Sequence, residues 1–231
     1  MISVQNLKKQ YKEAVVLDVE SLEIPKSECF GLVGNNGAGK TTLFRIMLDL
    51  VRATSGEVFI DGHDVSKSED WKARVGAYLD EHMLLSYLTP DEYFETLRKI
   101  YRLSEEDLRL HLENFKDLFN DEILGNKKYI RDLSKGNLKK VGIAAALLGN
   151  PEVILLDEPF ENLDPSSQIR LKKLILLEKE RSQITFLISS HDLNHVTDIC
   201  DRIVLLEKGK VIKDLNEKEM MMAELEAYFT G

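Results

Sequence analysis

One octapeptide constrains this chain more than any other feature. Gly34-Asn35-Asn36-Gly37-Ala38-Gly39-Lys40-Thr41 fits G-x-x-x-x-G-K-[ST] at every fixed position. It lies between an apolar run, Cys29–Val33, and a helical pattern that begins near Lys40. That strand–loop–helix context is what the motif's chemistry requires. The glycines let successive backbone N–H groups turn inward onto phosphate oxygens, and the following helix N-terminus adds its dipole. Lys40 is expected to reach the β- and γ-phosphates, and Thr41 to hold Mg²⁺. Thr42 completes the nucleotide-binding segment. The glycine order, 34, 37 and 39, is wrong for the dinucleotide fingerprint G-x-G-x-x-G.

The rest of the chain reads as strands and helices in alternation. Ile2–Leu7, Val15–Ile24, Gly56–Ile60 and Val75–Leu79 have the composition of strands, as do Val153–Leu156 and Ile184–Ser189. From Pro90 to about Leu148 the pattern is mostly helical. Thr89 is placed as its N-cap, Pro90 at the first helical position and Glu92 as the closing member of a capping box. Ile203–Leu206 and Val211–Lys213 flank a turn and predict a hairpin, and 216–229 predicts a closing helix. Strand–helix alternation at both ends implies a mostly parallel α/β sheet with a helical insertion between its halves.

Composition narrows the function classes. At roughly 100–200 residues per domain, 231 residues suit one large domain or one with a subdomain. Lys+Arg number 31 and Asp+Glu 40, giving a net charge of −9, which argues against generic nucleic-acid binding. The longest apolar run, Val141 to Leu148, is far short of the roughly 20 residues of a spanning helix. The opening MISVQNLKKQYK has no apolar signal-peptide core, so secretion is not expected. Cys29 and Cys200 form no disulfide framework and are expected as reduced thiols.

A second acidic site follows from Val153–Leu156, which runs into Asp157-Glu158-Pro159. A buried strand that ends in two carboxylates presents them where ligands bind in open α/β sheets. Asp157 is expected to reach Mg²⁺, and Glu158 to polarise an attacking water as general base. His191-Asp192-Leu193-Asn194-His195 has the i, i+4 histidine spacing of a zinc helix, but Asp192 replaces the motif's Glu and no third ligand is evident.

With these motifs in place, the sequence resembles the nucleotide-binding subunits of ABC transporters over essentially its whole length. Leu133-Ser134-Lys135-Gly136-Asn137 stands where that family has its LSGGQ signature, with Lys135 and Asn137 departing from the pattern. The variant is similar to those of bacitracin- and lantibiotic-resistance-type subunits. Asn162-Leu163-Asp164-Pro165 resembles the D-loop, and Ser189-Ser190-His191-Asp192 the switch-histidine segment. Tyr11 lies where the family carries a ring that stacks on adenine. Asp80 stands where most members have the Q-loop Gln; its carboxylate can accept but not donate a hydrogen bond, and Glu81 is the alternative.

The resemblance implies a P-loop NTPase (RecA-like) fold: a mostly parallel sheet core, an N-terminal antiparallel β portion and a helical insertion over approximately 81–150, all in one domain over 1–231. It implies Glu158 and His191 as catalytic residues, Thr41, Asp157 and Asp80 around Mg²⁺, and ATP on residues 34–42 with Tyr11. Ser134 and Gly136 would bind the γ-phosphate held by a second subunit, and Ser134, Lys135, Gly136 and Asp164 would form the dimer interface. The partners implied are integral membrane permease subunits on separate chains and a second copy, or a related subunit. Location is expected at the cytoplasmic face of the membrane, with export favoured over import. The alternative is a soluble ABC-type ATPase acting as a regulatory or nucleic-acid-associated switch. Met83–Leu88 is expected as a docking surface, and Trp71 and Met220-Met221-Met222 as packing residues.

Overall fold

A computed structural model describes residues 1–216. The closing helix expected over 216–229 and the Met220-Met221-Met222 run fall outside the described residues, apart from Asn216. Two sheets and seven α-helices make up the described chain.

The first sheet is antiparallel. It holds β1 (Ile2–Tyr11), β2 (Ala14–Ile24), β4 (Ser55–Ile60) and β5 (His63–Asp64) in the order β2-β1-β4-β5. Strand β1 runs four residues past the expected Leu7. Its ladder with β2 continues to Tyr11 opposite Ala14, through a register shift at Lys9/Gln10. Residues beyond Leu7 are largely exposed, so no apolar alternation marks this extension.

The second sheet has the order β10-β9-β3-β8-β7-β6. It comprises β3 (Cys29–Val33), β6 (Val75–Tyr78), β7 (Val153–Leu156), β8 (Thr185–Ser190), β9 (Arg202–Glu207) and β10 (Lys210–Leu215). All neighbours are parallel except the β9–β10 hairpin. Every residue of β3, β7 and β8 is buried, so alternate side chains feed opposite faces. Phe30, Leu32, Val153 and Leu155 enter a core shared with the antiparallel sheet and α1 (Lys40–Met47). Cys29, Val33, Ile154 and Leu156 enter a second core, roofed by helices.

Those helices are α2 (Pro90–Tyr101), α3 (Glu105–Asn114), α4 (Lys116–Phe119), α5 (Lys135–Ala146), α6 (Pro165–Ser182) and α7 (Leu193–Ile199). The start of α2 has the expected capping box: Thr89 Oγ1 accepts from Glu92 N, and Thr89 N donates to Glu92 Oε2 at 2.8 Å. The expected helical run from Pro90 to Leu148 is interrupted between α4 and α5, where Asn120 and Asp121 take left-handed backbone conformations. Helix α5 packs directly on β6. A Cβ on Gly142 would come within 2.1 Å of the Tyr78 ring, so glycine is what permits this approach. The β6–α2 to α5–β7 connectivity places the helical segment between two neighbouring sheet strands.

Candidate active site

The site forms at the carboxyl ends of β3, β8 and β7, three neighbouring strands. Parallel register pairs Val33 with Ser190 and Leu156 with Ile188. One residue beyond those rungs come Gly34, His191, Asp157 and Ser189, so the ladder itself brings the expected residues together.

The loop after β3 takes φ values of 83° at Gly37 and 110° at Gly39, which L side chains rarely adopt. Gly39 precedes α1 without a side-chain cap, so first-turn N–H groups remain available to an anion. Lys40 is buried at 6% exposure; its Nζ donates to Gly34 O at 2.6 Å and lies 3.2 Å from Glu158 Oε1.

Asp157 is buried at the end of β7. Its Oδ2 accepts from Thr41 Oγ1 at 2.5 Å, and its Oδ1 accepts from the Ser189 hydroxyl. Burial pushes the Asp157 carboxyl above the usual range, opposed by the bonds from Ser189 and Thr41. Ser189 also accepts from Glu158 N at 2.9 Å, so one hydroxyl ties the two acidic residues together. Glu158 has φ 46°, and its Oε2 meets His191 Nδ1 at 2.9 Å and His191 N at 3.2 Å. Lys139 Nζ donates to the Glu158 carbonyl at 2.5 Å.

The other predicted residues sit around this centre. Asp80 caps the short turn Glu81–Met83, accepting from His82 N, and pairs with Arg45 NH2 at 3.1 Å. With Glu81, Lys135, Lys139, Asp157 and Glu158 it lines a cleft of about 450 Å³. Ser134 caps α5, accepting from Asn137 N. Gly136 approaches the D-loop segment so closely that a Cβ would lie 2.9 Å from Asn162 O. Asp164 caps α6, accepting from Ser166 N and Ser167 N at 3.0 Å each. Tyr11 is half exposed at the end of β1, and its ring contact is with Lys9, 4.6 Å from the centroid. His195 packs against Phe160, with ring centroids 4.7 Å apart.

Ser189, Lys139 and Arg45 take part in this geometry although the sequence reading gave them no role. Ser189 stood inside a quoted motif. Lys139 and Arg45 carried no signal, because their partners are distant in sequence. The donors around Thr41 and Asp157 are hard oxygens, the kind Mg²⁺ prefers. Among the described residues no group of three or more His, Cys, Asp or Glu could hold a metal alone. The set therefore fits an ion that takes its remaining ligands from phosphate and water, the usual Mg²⁺ arrangement.

Comparison with known proteins bears on this geometry. The profile of the ABC transporter family matches residues 17–161. The lantibiotic transport ATP-binding protein SrtF of Streptococcus pyogenes is 32% identical over 214 residues, covering 92% of this chain and 89% of SrtF. The methionine import ATP-binding protein MetN of Carboxydothermus hydrogenoformans is 32% identical over 223 residues, 93% of this chain and 66% of MetN. This chain spans only 54% of an uncharacterised ABC transporter ATP-binding protein of Synechocystis that is 35% identical over 193 residues, or 83% of this chain. Among solved structures, the dimeric ATP-binding cassette MJ0796 in a post-hydrolysis state with ADP and Pi is 28% identical. It superposes with a TM-score of 0.83 over 94% of this chain and 98% of that one.

Proposed function

This chain belongs to the ABC transporter ATP-binding family, and from that premise we propose that it binds and hydrolyses ATP to drive transport through separate membrane subunits. The observation that carries this reading is the cluster in which Lys40 and His191 both contact Glu158 while Thr41 and Ser189 both contact Asp157. Residues 34–42 would cradle the phosphates, and Lys40 would exchange Gly34 O and Glu158 for phosphate oxygens. Thr41 and Asp157 would hold Mg²⁺, which would supply positive charge against the negative charge that builds up on the phosphates. Asp80 would join through water only after release from Arg45, with Glu81 beside it. Glu158 would take a proton from the attacking water, and His191, hydrogen-bonded to the same carboxylate, would fix its orientation. Tyr11 is proposed for the adenine.

The domain reading follows the same lines: one ABC ATPase domain, with residues 81–150 as an inserted helical unit. A second copy or a related subunit would complete each site through Ser134, Lys135 and Gly136, with Asp164 beside it. The dimeric MJ0796 cassette supports that arrangement. No helix of the described residues is long and apolar enough to cross a membrane. From the family membership we assign the membrane passage to separate permease chains, with this subunit at the cytoplasmic face. Leu50, Met83, Tyr93 and Tyr101, with Asp49 and Lys72, line a groove of about 410 Å³ between α1 and α2 that includes the start of the expected Met83–Leu88 segment. We assign the permease contact to that groove. Export is proposed from the resemblance of Leu133–Asn137 and the acidic Asp80-Glu81 pair to resistance-type subunits; the relatives include both a lantibiotic transport protein and a methionine import protein.

The test is Glu158→Gln in the purified chain. Loss of a general base lowers turnover by about 10²–10⁴-fold, with ATP binding retained. Phosphate release at the wild-type rate would remove Glu158 from the mechanism.

A further inference from the structure

Both backbone polar groups of Glu158 are held by side chains from other elements. Its N–H donates to Ser189 Oγ on β8, and its carbonyl accepts from Lys139 Nζ on α5. The residue has φ 46°, a left-handed conformation that costs energy for a side chain of this size. The two external bonds hold it there together with a turn hydrogen bond, Glu161 N donating to the same carbonyl at 3.2 Å. From these contacts we infer that Lys139 is a positioning residue for hydrolysis: it fixes the backbone from which the Glu158 carboxylate projects, and ties it to α5. The inference rests on the proposed role of Glu158 as general base.

The surroundings of Lys139 favour positioning over simple packing. Its side chain is only 10% exposed, yet the nearest carboxylate in an ion pair, Glu161 Oε2, is 4.0 Å away. Among the described residues its one close partner is the uncharged carbonyl, at 2.5 Å. Burying an ammonium against a neutral acceptor is expensive. If packing were the only demand, an apolar side chain of similar volume would meet it at lower cost. Burial accordingly pulls the Lys139 ammonium below its usual pKa, opposed by Glu161, Glu158 and Asp157.

Helix α5 gives this bond a further consequence. Five residues upstream of Lys139, Ser134 caps the same helix, and Gly136 presses on Asn162 O. One rigid helix therefore touches both ends of the turn from Glu158 to Asn162. A shift of α5 caused by contact at Ser134 would reach Glu158 through Lys139.

The experiment compares wild type, Lys139→Met and Lys139→Arg in steady-state phosphate release, ATP affinity and thermal unfolding. Methionine keeps the volume and removes the donor; arginine keeps a donor. We expect kcat in Lys139→Met to fall about 10–100-fold, as for a misplaced catalytic group, with KM and ATP affinity unchanged. Lys139→Arg should recover most of the loss. Unchanged kcat in Lys139→Met, beside active wild type, overturns the Lys139 role alone. So does a loss shared by KM, affinity and unfolding temperature that arginine does not rescue. A wild-type chain that releases no phosphate from ATP overturns the proposed function, and this inference with it.

Discussion

Lys40 is a buried cation whose charge is answered inside the protein, by Glu158 and by the Gly34 carbonyl. An arriving phosphate competes for a group that is already bonded, so binding is an exchange of partners. The same residue-by-residue economy governs the helix packing. Gly142 has no room for even one methyl group, because its Cβ would lie 2.1 Å from two carbons of the Tyr78 ring. Gly142→Ala should destabilise the fold by about 1–3 kcal/mol through overpacking, read as a lower urea midpoint with an unchanged slope. At this scale the sequence was most legible where a motif has fixed spacing, as for Lys40, Thr41, Asp157, Glu158 and His191. Ser189, Lys139 and Arg45 were not legible. Their partners lie 32, 19 and 35 residues away in the chain, and no local pattern records a contact over such distances.

Among the elements, helix starts were easier to read than strand ends. A cap is a local bond, so Thr89 announces α2 from neighbouring residues alone. A strand stops where its partner stops, which is why β1 runs past Leu7 along β2. The α6 cap makes a measurable prediction. Hydrogen bonds from Ser166 and Ser167 hold the Asp164 carboxyl well below its usual value of 3.8. Its folded-state pKa lies under the unfolded one, so its stabilisation is complete above that usual value and is lost as pH falls through it towards the folded pKa. Asp164→Ala should cost about 1 kcal/mol at neutral pH, the typical worth of such a cap. The gap between variant and wild type should narrow in acid, as followed by denaturant unfolding across pH.

On the scale of the whole molecule, two cores share one sheet, and a groove opens between α1 and the helical segment. Leu50 projects there with 57% of its surface exposed. Leu50→Glu should leave stability within about 0.5 kcal/mol, as for other exposed positions, while sharply lowering recovery of a membrane subunit when the chain is pulled down from detergent-solubilised membranes. Equal recovery would place the permease contact elsewhere. The order of the parallel sheet has a consequence of its own. Strand β8 lies between the strand that leads to Lys40 and the strand that leads to Asp157; it carries Ser189 and runs directly into His191. A one-residue slip would turn Ser189 to the other face of the sheet and shift where His191 begins. Spacing at the site is thus kept by counting rungs of backbone. Swapping one aliphatic core residue for another leaves that count alone, whereas a single insertion or deletion in β8 resets it. The architecture forgives changes in what fills the sheet far more readily than changes in how many residues are strung along it.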